Sequence, residues 1–171
     1  MSVDWADLYR TTYEDLYRFL HSKVWDPERA HDLTQETFVR ALQHEPDNPR
    51  AWLFSVAANL ARDEARTAVR RTRHLELLKS DTEVDSAAEP EAPQRLEQEE
   101  RTLVVRGALE QLSERDRDVL LLWNAGQSYA EIAEQTGLAS GAIGTTLSRA
   151  RKRLVDAYEG LERDDVARKR R

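Results

Sequence analysis

Wherever apolar residues recur in this chain they do so every three or four residues, and no segment alternates apolar with polar at every second position. That restricts the fold to helices packed on helices. Trp5, Leu8, Tyr9, Tyr13, Leu16, Tyr17, Leu20 and Val24 trace one such stripe and predict a helix from about Asp4 to Val24. Asp26-Pro27 reads as an N-cap with proline at the first helical position, opening a helix to about Gln43 with Ala30, Leu33, Phe38 and Leu42 inward. Asn48-Pro49 repeats the signal and opens PRAWLFSVAANLARDEARTAVRR, with Trp52, Val56, Leu60 and Ala61 on its apolar side.

The pattern lapses over residues 79–96. From Ser80 to Glu97 six acids face one arginine, with two prolines and no aromatic residue, so the stretch buries too little apolar surface to offset its ordering entropy. It is expected to be a flexible linker between two small helical domains, residues 1–78 and 97–163, with 164–171 as a basic tail; a capped surface loop of one domain is the alternative. Beyond it a helix is predicted from about Gln98 to Gln111, with Leu103, Val104 and Ala108 inward. Ser113 with Asp116 resembles a capping box and starts a helix ending at Trp123; Ser128 with Glu131 makes a cleaner one. Gly137 ends that short helix in a left-handed conformation, Leu138 plugs the corner, and Ser140 caps the next helix, which is the helix-turn-helix plan.

The net charge of −6 argues against a nucleic-acid partner, yet a polyanion senses charge only within about 8 to 10 Å at cellular salt. Locally the balance reverses. Residues 50–73 hold six arginines against Asp63 and Glu64, and residues 141–154 hold three arginines and a lysine against no acid. In the last helix Ile143, Leu147, Ala150 and Leu154 fall inward, while Ala142, Thr145, Thr146, Arg149, Lys152 and Arg153 share the outer side. Small residues let a helix end enter a major groove closely, and the cations pair with phosphates. The alternative is a solvated face whose basic residues suit a helix C-terminus.

No cysteine is present, which excludes disulfides, thiolate metal sites and cysteine nucleophiles. The N-terminus carries no apolar signal region and no run of about eighteen apolar residues occurs, so a cytoplasmic chain without membrane insertion is expected. His21, His31, His44 and His74 are scattered; His31, Asp32 and Glu36 make the best metal candidate, but no metal and no cofactor are expected.

The segments DPERAHDLTQETFVRALQ, NPRAWLFSVAANLARDEARTAVRR and LSERDRDVLLLWNAGQSYAEIAEQTGLASGAIGTTLSRARKRL, in that order, resemble bacterial sigma factors of the extracytoplasmic function group over nearly the whole chain. The resemblance implies that Asp32, Gln35, Glu36 and Val39 contact the beta-prime clamp helices of core RNA polymerase. Spacing independently puts these four on one helical side. It implies further that the His44–Asn48 loop and the next helix open promoter DNA at the minus-ten element. There Asn59 and Asp63 read an unstacked base and Arg62, Arg66, Arg70 and Arg71 neutralise phosphates, with Trp52 either an aromatic surface or core. Ser140, Ala142, Thr145, Thr146, Arg149, Lys152 and Arg153 fall on the segment that reads the minus-thirty-five duplex. The chain departs from the family where common members carry lysine, serine and arginine and this one carries Gly144, Thr145 and Thr146. Contact is therefore expected to shift onto Arg149, Arg151, Lys152 and Arg153. Core polymerase, including its beta flap, promoter DNA and a cognate anti-sigma protein are the implied partners. Such a protein is no enzyme. The rival readings are a helix-turn-helix DNA-binding regulator whose N-terminal bundle senses a ligand or partner, and an enzyme or metal protein.

Overall fold

Asp4 closes the first turn of a helix Trp5–Val24 (α1) by accepting a hydrogen bond from the Asp7 amide at 3.0 Å. Asp26 does the same for Pro27–Ala41 (α2), taking the Arg29 amide at 3.1 Å ahead of a proline at the first helical position. Asn48 accepts from the Ala51 amide at 3.2 Å and opens the 30-residue helix Pro49–Leu78 (α3). The structure, a computed structural model, describes residues 2–78 and 93–170. Most of the expected linker, residues 79–92, lies outside the described residues. Its end does not: a helix Pro93–Glu110 (α4) starts with proline at its first position, so residues 93–96 are helical and the helix begins before Gln98. Glu114–Asn124 (α5), Tyr129–Thr136 (α6) and Ser140–Lys169 (α7) complete the order, and the described residues include no strand.

The chain divides into two compact units, residues 1–84 and, apart from the turn at 125–127, residues 85–171. In the front unit α1, α2 and α3 pack pairwise around Leu16, Phe19, Leu20, Leu33, Leu53 and Phe54, each at most 3% exposed. The inward face of α3 is rotated from the expected one: Ala51, Leu53, Phe54 and Ala57 are buried, while Trp52 and Val56 are half-buried and only Leu60 and Ala61 fall inside as expected. Leu42 is also corrected. It is 65% exposed because α2 ends at Ala41 and the chain turns away there.

In the rear unit α4 and α7 run antiparallel, with α5 and α6 packed on the first half of α7. Their close approach needs Gly107, where a Cβ would stand 3.1 Å from Leu161 Cδ1. Lys169 Nζ meets Glu100 at 2.8 Å and Asp165 at 3.0 Å, so residues 164–169 continue α7 instead of forming a separate tail. Leu103, expected inward, is 65% exposed; Ala108 and Leu109 form the buried side of α4.

The helix-turn-helix is built as its turn chemistry dictates. Ser128 and Glu131 form a reciprocal capping box, and Gly137, at φ 72°, ends α6 with its amide on the Ala133 carbonyl. Two expected caps differ. Ser140 is already helical: Ala139 occupies the N-cap position, with no side-chain cap bond. Ser113 accepts from the Asp116 amide at 3.2 Å, but the Asp116 carboxylate is taken by Arg153 of α7.

Candidate nucleic-acid interface

On α3, Asn59, Arg62, Asp63 and Arg66 share an exposed side. An Arg62 guanidinium nitrogen donates to Asn59 Oδ1 at 3.0 Å, and Arg66 lies 3.7 Å from the Asp63 carboxylate. The base-reading types are thus held within hydrogen-bond reach of cations from the same helix. Every described side chain from Ala65 to Arg73 is exposed, Arg70 and Arg71 included, so α3 projects beyond the bundle as a basic arm. Trp52 is half-buried, its ring 6.5 Å from that of Trp5 and 5.0 Å from His44 of the preceding loop.

The root of that arm is tied to α2. Arg29 donates Nε to Glu64 Oε1 at 2.8 Å and Nη2 to Oε2 at 2.7 Å. These bonds, aided by the charges of Arg29 and Arg71 and opposed by burial, hold the Glu64 carboxyl below its usual range. The same bond raises the Arg29 guanidinium above its ordinary value. A carboxyl depressed on folding stabilises above its unfolded pKa, and that contribution disappears as pH falls through the folded value. Glu64→Gln should therefore lower the urea midpoint at neutral pH, and the gap from the parent should close on acidification below the glutamate range. A gap that is constant with pH would contradict this.

On α2, Asp32, Gln35 and Val39 are exposed and Glu36, half-buried, pairs with Arg40 at 2.5 Å. Beside them lies an apolar groove of about 450 Å³ lined by Trp5, Ala6, Tyr9, Gln35, Phe38, Val39 and Leu42. Phe38 is 7% exposed and forms its floor, whereas Val39 and Leu42 are 62% and 65% exposed. Sequence periodicity missed Tyr9 and Leu42 as surface residues; the end of α2 at Ala41 is the signal that releases Leu42. His31 is hydrogen-bonded through Nδ1 to the Tyr13 hydroxyl at 2.7 Å and stacks on Tyr17. Among the described residues no group of three or more His, Asp or Glu side chains is arranged to hold a metal.

On α7, Ile143, Leu147 and Ala150 are buried; Thr145, Arg149, Lys152 and Arg153 are exposed, with Ala142 and Thr146 half-buried and Ser140 exposed at the N-terminus. Not all the cations are equivalent. Arg153 pairs with Asp116, whose side chain is 2% exposed, which makes it a tether between α5 and α7. Arg151 lies over the Trp123 ring at 5.9 Å on a flank, where Tyr129 also covers Gly144 at 3.5 Å from the place of a Cβ. Arg149 and Lys152 remain on the outer face.

Two families match this chain: sigma-70 region 2 over residues 8–71 and sigma-70 region 4 over residues 102–154. Over 164 residues it is 35% identical to the ECF RNA polymerase sigma factor EcfG of Rhodopseudomonas palustris, spanning 90% of this chain and 87% of that protein. Its fold is similar to that of the sigma factor RpoE solved in complex with the anti-sigma factor NepR from Bartonella quintana, with a TM-score of 0.59 and 27% identity over 91% of this chain and 97% of that one. It is similar also to CnrH, solved in complex with the cytosolic domain of CnrY, with a TM-score of 0.64 and 25% identity over 91% and 88% of the two chains.

Proposed function

Because the chain belongs to the extracytoplasmic function group of the sigma-70 family and directs promoter-specific transcription initiation by RNA polymerase, we propose that its two units divide that task between melted and intact promoter DNA. The front unit docks on the beta-prime clamp helices through Asp32, Gln35, Glu36 and Val39, with the neighbouring groove supplying apolar area through Val39 and Leu42. Asn59 and Asp63 then read an unstacked base of the minus-ten element while Arg62, Arg66, Arg70 and Arg71 neutralise its backbone. The rear unit, held by the beta flap, turns α7 toward the minus-thirty-five duplex, with Ser140, Ala142, Thr145 and Thr146 near base edges and Arg149 and Lys152 on phosphates.

The protein acts by binding and not by catalysis, in the cytoplasm where polymerase works. Among the described residues no helix is long and apolar enough to cross a membrane. A cognate anti-sigma protein covering the polymerase-facing side of α2 is the partner expected from the complexes in which RpoE and CnrH were solved. The observation carrying this reading is the pair of outward basic faces, one per unit: α3 beyond Glu64 and the outer side of α7. Purified protein added to core polymerase should yield transcripts from a defined start site. Specific promoter binding by the protein alone, with no such transcripts on adding polymerase, would favour an ordinary helix-turn-helix regulator and defeat the proposal.

Phosphate contacts make affinity fall with salt by a slope of about 0.9 per phosphate neutralised. The double variant Arg149→Ala/Lys152→Ala should flatten the log-log salt dependence of promoter binding by the polymerase complex by about 2. An unchanged slope would remove α7 from the phosphate contact.

A further inference from the structure

The basic arm of α3 is anchored where it leaves the bundle. Leu53, Phe54, Ala57, Leu60 and Ala61 are buried, and beyond Glu64 every described side chain to Arg73 is exposed. Among the described side chains Glu64 is therefore the last of α3 that is not exposed, and Arg29 grips it through two parallel bonds of 2.8 and 2.7 Å. A planar guanidinium on a carboxylate restricts orientation as well as distance, which a single hydrogen bond does not. Arg29 also stands 3.6 Å from the Asp32 carboxylate one turn along α2. One side chain thus touches both the polymerase-facing side of α2 and the root of the DNA-facing arm.

We propose that Arg29 is a positioning residue for promoter opening: its fork on Glu64 sets the angle at which the α3 arm leaves the bundle, and its contact with Asp32 references that angle to the polymerase-facing side. Glu64 and Arg71 are seven residues apart, about 10 Å along a helix, so a tilt of about 10° at the root displaces Arg71 by about 2 Å. A displacement of that size breaks a phosphate contact at Arg70 or Arg71, whereas Asn59 and Asp63, on the bundle side of Glu64 next to buried Leu60 and Ala61, keep their place. The docking residues Asp32, Gln35, Glu36 and Val39 sit on α2 and not on the arm, so a tilt of the arm leaves them in place. The inference rests on the reading that α3 opens the minus-ten element.

The test uses the full chain with core polymerase on two templates: a fully paired promoter, and the same promoter with its minus-ten region mismatched so that it is already open. Permanganate reactivity of unpaired thymines reports opening, transcripts report initiation, and competition reports affinity for core polymerase. Arg29→Gln should cut opening of the paired promoter about tenfold, the effect of losing a charge-assisted bidentate bond. Transcription from the pre-opened template, measured at saturating core polymerase, should stay within about twofold, a change worth less than 0.5 kcal/mol and typical of a surface position. Arg29→Glu and Glu64→Arg should each fail on the paired promoter, and the two together should recover it, which a variant that merely fails to fold would not. Equal loss on both templates, parent-like opening by Arg29→Gln, or no recovery in the exchanged pair would overturn the proposal. An unmodified protein that opens no promoter at all would instead overturn the functional reading on which it rests.

Discussion

Replacing Arg153 with alanine should lower the melting temperature of the rear unit by about 10 °C, while the same change at Arg149 leaves it within about 2 °C. The two arginines lie one turn apart on α7, and both are exposed. They differ in what they face. The Asp116 carboxylate is 2% exposed and its partner is Arg153, whose own side chain is 59% exposed. Breaking a fully buried pair costs about 3 to 5 kcal/mol because one charge is left unpaired in a medium that solvates it poorly. With one partner at the surface the cost is smaller, about 2 kcal/mol. Adding Asp116→Asn to Arg153→Ala removes the stranded charge and should return part of the loss, a non-additivity expected only of residues in contact. Circular dichroism melts of the four proteins test this, and an Arg153→Ala variant that melts with the parent would refute it. If the result holds, weakened promoter binding by an Arg153 variant reports the position of α7 as much as a lost phosphate contact.

Phe54→Ala should be the most damaging single change in the front unit, at about 3 to 5 kcal/mol. Phe54 is 0% exposed, meets Phe19 edge-on at 5.4 Å between ring centres, and carries the Arg50 guanidinium over its face at 5.2 Å. A domain of this size is stable by about 4 to 12 kcal/mol, so the loss takes a large share of the total. Urea midpoints should fall accordingly, and affinity for core polymerase should fall with them, since the docking face of α2 exists only while α2 is held. Phe54→Leu keeps most of the volume and should cost about 1.5 kcal/mol or less. Trp52→Ala, two residues earlier, should cost less than Phe54→Ala, because Trp52 is half-buried against Trp5 and His44 at the edge of the bundle. The reverse ranking would show that the inward face of α3 has been assigned wrongly.

That ranking marks the boundary between the two levels of information. The sequence by itself determined where most helices start and stop, because the causes are local: Asp26 ahead of Pro27, Asn48 ahead of Pro49, the Ser128 and Glu131 box, and the left-handed Gly137 each act within one turn of chain. It also determined the outer face of α7, since a period near 3.6 over Ile143, Leu147 and Ala150 leaves only one side for the rest. Only the tertiary structure decided the rotation of α3, because Trp52 with Val56 and Leu53 with Ala57 satisfy the same spacing and the choice falls to the shape of α1 and α2. It alone separated Arg153 from Arg149, and it alone joined Arg29 to Glu64. Those partners lie 37 and 35 residues apart in the chain. Helical spacing constrains neighbours at three and four residues, whereas a pairing across that distance exists only once packing has brought two helices side by side.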